Sequence, residues 1–308
     1  MASRKTIVLL IIFLALLAYV YFFEIKGEKR KKAQREQEEL VINFDKDKVA
    51  GLSFLPEKII IEKNDTEWKI LSPVQTNADQ STIDNILDSF SSLKRGRFVS
   101  DNPDDFSKFG LTPFQSALVI NKREEHGDTL SLGNTNLDNT KVFYRKSGSN
   151  SVYLVATTLK TNATKSLYDL RDKTIVSFEQ DSVTEIILQH PDFTFHCIKD
   201  STKKWFITQP ESGLAKSWKI SSLLYNIKDM RVAQFIDEPY KSDAFYGFVH
   251  PEIKLILKKE DQSLTELLIG KKVEDKIYLK NNLTNNVYLV NKKVTDDLSV
   301  KTEEFLEE

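Results

Sequence analysis

The residues able to do chemistry are few and scattered. The four histidines are His126, His190, His196 and His250, and Cys197 is the one cysteine of the 308-residue chain. Proton transfer, metal ligation or nucleophilic attack needs several such groups to converge. No two histidines stand one helical turn apart, the spacing that aims two ligands at one metal. His126 and Gly127 read as a turn, and His190 and His250 each precede a proline. The run from Phe195 to Ile198 reads as a strand, on which His196 and Cys197 point to opposite faces. Cys197 is therefore expected to be a small core residue. A lone cysteine also excludes an intramolecular disulfide and any multi-cysteine zinc or iron–sulfur site. Asp104-Asp105 and Asp296-Asp297 have the composition of an acid/base or metal-carboxylate pair. Both fall where helix starts are expected, and acids favour helix N-termini. The sequence has no Walker phosphate loop, no dinucleotide-binding glycine pattern and no nucleophile elbow. The reading is therefore no catalytic residue, no cofactor site and no metal site.

Three tryptophans are the other candidates for function. Trp68 and Trp205 follow strand patterns at matching places and read as core. Trp218 has no such match, because Ser81 occupies its equivalent position. An unpaired aromatic on a helix is the better candidate for partner contact. The charges balance, 44 Lys and Arg against 45 Asp and Glu, for a net −1. No whole-molecule field then exists to attract nucleic acid.

The elements that must position these residues are written twice. At an offset of 137, Trp68 meets Trp205, Ile70 meets Ile207 and Pro73 meets Pro210. The same offset pairs Ile83 with Ile220, Leu87 with Leu224, Gly110 with Gly247 and Gly133 with Gly270. At 135, Val152-Tyr153-Leu154-Val155 meets Val287-Tyr288-Leu289-Val290, so short insertions fall in loops between. Two repeat domains follow, 44–173 and 178–308. Each reads as about seven short strands and two or three helices. The apolar stripe of Ile83, Ile86, Leu87, Phe90 and Leu93 has helical spacing, and Ile220, Leu223, Leu224, Ile227 and Met230 repeat it. Asn102-Pro103 and Glu238-Pro239 read as helix starts, with Gly110 and Gly247 as left-handed ends. Strands that alternate with hairpin turns, and no βαβ order, give an α+β fold of antiparallel sheets with packed helices.

The N-terminus carries a different signal. Residues 7–23 are uniformly apolar or aromatic, which gives about 25 Å of helix, near the minimum for a bilayer core. The reading is an uncleaved transmembrane anchor over 1–25, with no small-residue cleavage site and no lipoprotein cysteine behind it. A charged stalk follows at 26–43. Its basic tract, Lys29, Arg30, Lys31 and Lys32, favours a cytoplasmic body by the positive-inside rule. A short basic leader ahead of the first apolar segment favours export instead, and the extracytoplasmic orientation is taken here.

The order of these features resembles a bacterial membrane-anchored family, domain of unknown function 4340. The resemblance is carried by the anchor, Trp68-Lys69-Ile70, Pro73, Phe109-Gly110-Leu111, Leu132-Gly133, Val152 to Val155 and Leu170-Arg171-Asp172-Lys173. It implies a noncatalytic, envelope-facing accessory or scaffold subunit in the inner membrane, beside a gliding-motility-type ABC transporter. No catalytic residue comes with the resemblance. The alternative is an envelope ligand-binding protein or enzyme with a site in the cleft between the two repeats.

Overall fold

The computed structural model describes residues 39–42, 44–122, 127–237 and 239–307, together with Phe13, Leu14, Tyr19 and Tyr21. Apart from those four residues, the segment read as a membrane anchor lies outside the described residues, as does most of the stalk. Among the described residues no helix is long and apolar enough to cross a membrane. The chain divides into two units, 1–172 and 173–308.

The first unit is a nine-stranded antiparallel sheet. Its strands are β1 (Val49–Leu55), β2 (Ile59–Asn64), β3 (Glu67–Ser72), β4 (Thr76–Asn77), β5 (Arg97–Ser100), β6 (Ser116–Lys122), β7 (Asp128–Thr135), β8 (Lys141–Lys146) and β9 (Val152–Ala156). They lie in the order β4-β3-β2-β1-β6-β7-β8-β9-β5. Helix α1 (Gln80–Ser91) leaves from the β4 side, and α2 (Thr158–Ala163) and α3 (Leu167–Leu170) end the unit. Alternation decides which sheet face is buried: in β2, Ile59 and Ile61 are buried while Ile60 and Glu62 are exposed. Ile83, Ile86, Leu87 and Phe90 of α1 are buried in the same apolar core as Leu52, Ile61, Trp68 and Ile70.

The second unit repeats the plan. Its strands are β10 (Val183–Gln189), β11 (Thr194–Lys199), β12 (Trp205–Gln209), β13 (Gly213–Leu214), β14 (Gln234–Phe235), β15 (Ile253–Lys259), β16 (Leu264–Val273), β17 (Lys276–Asn281) and β18 (Asn286–Asn291). Their order, β13-β12-β11-β10-β15-β16-β17-β18-β14, is the first order shifted by nine. Helix α4 (Ser217–Lys228) buries Ile220, Leu223, Leu224 and Ile227, the stripe expected from the spacing. Short helices α5 (Asp243–Tyr246), α6 (Lys293–Asp297) and α7 (Thr302–Phe305) complete it.

Each sheet has two strands more than the pattern reading gives. The additions are β4 and β5 in one unit and β13 and β14 in the other, at the sheet edges. Three of the four are two residues long, too short to show alternation. The chain from Leu159 to Leu170 forms two helices rather than one, because Ser166 opens α3 with a reciprocal capping box to Asp169. Helix α5 starts at Asp243, not at Pro239, since the Ser242 hydroxyl caps it by accepting from the Phe245 amide. Asp296 and Asp297 finish α6 rather than begin it; Asp297 pairs with Lys293 at 3.6 Å.

Gly110 and Gly247 do take the left-handed conformation, at φ +69° and +82°. Behind them, a Cβ on Gly133 would lie 2.0 Å from the Phe109 carbonyl oxygen, and one on Gly270 would lie 2.2 Å from that of Tyr246. Both glycines are thus required by the same close approach of a turn to β7 or β16.

Candidate functional site

The reactive residue types are separated by the sheet that carries them. Cys197 sits on β11 with no exposed surface, opposite Ile186 and Ile207 in the strand pairing. Burial pushes its thiol up to about 12, which keeps it protonated at neutral pH. His196 faces the other way. Its Nε2 is 2.9 Å from Glu185 Oε1 and its Nδ1 is 2.8 Å from the Thr208 hydroxyl. His190 stacks on Phe193 with ring centroids 4.4 Å apart, and burial holds its pKa below the ordinary histidine value. His250 is exposed, and His126 lies outside the described residues. Asp105 accepts from the Ser100 hydroxyl at 2.8 Å and pairs with Lys108 at 2.6 Å, and these two partners hold its carboxyl low, Lys108 most. Among the described residues no group of three or more His, Cys, Asp or Glu side chains is placed to hold a metal ion.

The tryptophans divide by burial. Trp68 and Trp205 are 2% and 5% exposed, inside the two cores. Trp218 is 65% exposed on α4, and Tyr225 beyond it is 60% exposed. Residues 218 and 225 are two turns apart, about 10 Å along one helix face. Exposed Ser221 and Ser222 lie between them. The face is therefore two rings flanking a shallow step of small residues. Position by position, the same face of α1 carries Ser81, Asp84, Asn85 and Asp88, all exposed and all polar. The two helices share their inward stripe and differ in their outward one.

A second feature belongs to the first unit. A cavity of about 690 Å³ opens beside the β7–β8 loop. Leu154, Phe109 and Phe143 form its apolar floor, the two phenyl rings 4.6 Å apart. Arg97, Lys108 and Lys141 stand around its rim. The loop wall is tied to itself. Asn136 N–H donates to the Lys141 carbonyl at 2.9 Å, and Lys141 N–H donates to Asn136 Oδ1 at 2.8 Å. Thr140 donates to Asp138 Oδ1 from its amide at 2.9 Å and its hydroxyl at 2.5 Å. Those two bonds, more than the nearby Lys141 charge, hold the Asp138 carboxyl below the usual range. Leu137 at the loop tip is left fully exposed. Sequence reading named Phe109 and Leu154 as motif residues only and assigned none of the lining residues to a site. The signal available was the fall in repeat offset from 137 to 135 between Gly133 and Val152, because the inserted residues build this wall.

The family model described as Domain of unknown function (DUF4340) matches residues 68–244 and again 205–308. The two matches begin at Trp68 and Trp205, the equivalent tryptophans of the two sheets. No curated protein and no solved structure matches the chain.

Proposed function

For a chain that belongs to the DUF4340 family, we propose a noncatalytic role: a membrane-anchored scaffold that holds a membrane-protein partner through the outer face of α4. The observation that carries this reading is the one-sided change in a duplicated helix. Core packing explains the inward stripe kept in both repeats. It does not explain why solvent-facing Ser81 and Asp88 are matched by Trp218 and Tyr225. Exposed aromatic rings cost solubility unless something covers them, and aromatics dominate contact energies at interfaces. The buried thiol, and the separate settings of His190 against Phe193 and His196 between Glu185 and Thr208, support the noncatalytic side of the reading. The family resemblance directs the partner towards the permease of an ABC transporter. The apolar segment at 7–23 would tether both units to the membrane with the body outside the cytoplasm, where a high effective concentration lets weak contacts suffice.

The test is copurification of the tagged full-length chain from mild detergent, with transporter subunits quantified by mass spectrometry. Trp218→Ala with Tyr225→Ala is expected to reduce permease recovery at least about tenfold, as truncation of interface aromatics does. Both rings are exposed, so the fold should persist. Cys197→Ser and His196→Ala are expected to leave recovery unchanged. Equal recovery with the double variant would discard α4 as the contact. Loss of function in a folded His196→Ala protein that still binds the permease would return the enzyme reading.

A further inference from the structure

The cavity of the first unit has an exact counterpart position in the second, and strand pairing defines it without reference to sequence similarity. Arg97 and Phe143 both pair with Leu154, and Gln234 and Tyr278 both pair with Leu289. Lys141 opposite Ala156 corresponds to Lys276 opposite Asn291. The left-handed glycines align Phe109 with Tyr246, and hence Lys108 with Phe245. Three differences follow. Arg97 is replaced by Gln234, Lys108 is replaced by Phe245, and the two-residue turn of Glu274 and Asp275 stands where the longer Leu137-bearing loop was.

The second unit places aromatic rings at these positions. Phe245 lies edge-on to Tyr246 at 5.0 Å, and Tyr246 packs on Tyr278 at 5.0 Å. Lys276 is paired with Asp275 at 3.3 Å. In the first unit the corresponding space stays open and its cations are less satisfied. Lys108 is held by Asp105, and Lys141 has Asp138 near it. Arg97 is exposed and makes no ion pair or side-chain hydrogen bond among the described residues. One repeat carries three aromatic side chains here, Phe245, Tyr246 and Tyr278. The other has kept it open, lined it with apolar rings and left a guanidinium at its rim.

We propose that this cavity binds a small organic anion: one carboxylate, sulfonate or phosphate carried on an apolar ring or short chain. The ring or chain lies on Phe109, Phe143 and Leu154 under Leu137. The anionic group meets Arg97, whose planar fork takes two oxygens at once, with Lys141 beside it. The volume falls within the roughly 300–1,000 Å³ of ordinary small-molecule sites. The internally bonded loop wall lowers the ordering cost of binding.

Titration calorimetry on the full-length chain tests this with naphthalene-2-sulfonate, and with inorganic sulfate and neutral 2-naphthalenemethanol as separate arms. The sulfonate is expected to saturate at one site per chain, with each of the other two at least about tenfold weaker, since neither supplies both halves of the contact. Arg97→Gln, which installs the residue of the second repeat, is expected to weaken the sulfonate about tenfold, and Lys141→Gln about threefold. Gln234→Arg should change nothing, because the second unit has only the two-residue turn of Glu274 and Asp275 in place of the loop wall. Thermal unfolding of each variant is measured alongside; both cations are exposed, so unchanged unfolding is expected. Sulfate binding as tightly as the sulfonate would reduce the site to an adventitious anion contact. The neutral alcohol binding as tightly would reduce it to an apolar patch. Undiminished sulfonate binding in a folded Arg97→Gln, Lys141→Gln double variant would overturn the proposal.

Discussion

Asp128 shows how a single charge serves the sheet. It opens β7, and its carboxylate meets Lys122 Nζ at 3.1 Å from β6 and Lys146 Nζ at 2.6 Å from β8. Burial alone would raise its pKa; the hydrogen bonds and charges of Lys146 and Lys122 outweigh burial and lower it. A carboxyl lowered in the folded state adds stability above its unfolded pKa, and that stability is lost as pH falls through the folded value. Asp128→Asn is therefore expected to cost about 1 kcal/mol at neutral pH, the Lys146 share being discounted because that side chain is 40% exposed. The gap between the two proteins should shrink below about pH 4. Urea unfolding at pH 7 and pH 3 measures it, and a gap independent of pH would rule out the ion bridge as its cause. At this same scale the sequence was readable where a residue's role depended on pattern. Trp68 is core because it alternates with Glu67 and Lys69 on its strand, and Cys197 because it shares a face with Phe195 opposite His196. Arg97 was not readable, since its meaning lies in Leu154 across the strand pair and in a loop wall some forty residues away.

Helices α1 and α4 are one element with two endings. In α1 the Asp79 carboxylate caps the first turn by accepting from the Thr82 amide at 2.9 Å. In α4 the equivalent residue is Lys216, which makes no side-chain cap. An uncapped start leaves backbone donors to water, and a cation there opposes the helix dipole. Asp79→Ala is expected to cost about 1 kcal/mol and Lys216→Ala close to nothing, read by chemical denaturation. Comparable losses at both positions would show that Lys216 has a structural duty the capping account omits. The long elements, seven per sheet, were legible from alternation, and the helices from their apolar stripes. The edge strands were not, because a two-residue strand is defined by the neighbour that pairs with it. The start of α5 was misread because Pro239 suits a helix opening, whereas the hydroxyl that satisfies the first-turn amide belongs to Ser242.

At the scale of the whole chain, duplication gives each half a complete core. The buried cluster around Trp68 and Ile83 draws on residues 41–170, and that around Trp205 and Ile220 on residues 175–305. Among the described residues each cluster is drawn from a single unit. A unit of this length buries enough apolar surface to fold alone. Residues 173–308 expressed by themselves are therefore expected to unfold in one cooperative transition. The two tryptophans of that fragment provide an independent readout. Trp205 is 5% exposed and Trp218 is 65% exposed. Acrylamide should quench one emitting population readily and leave the other protected, and Trp218→Phe should remove the readily quenched one. A fragment with a broad, noncooperative melt and two equally quenched tryptophans would mean that the second core is not self-sufficient. Duplication of the fold would then have left the two halves dependent on one another for folding, and the freedom of α4 and of the first-unit cavity to diverge separately would need another explanation.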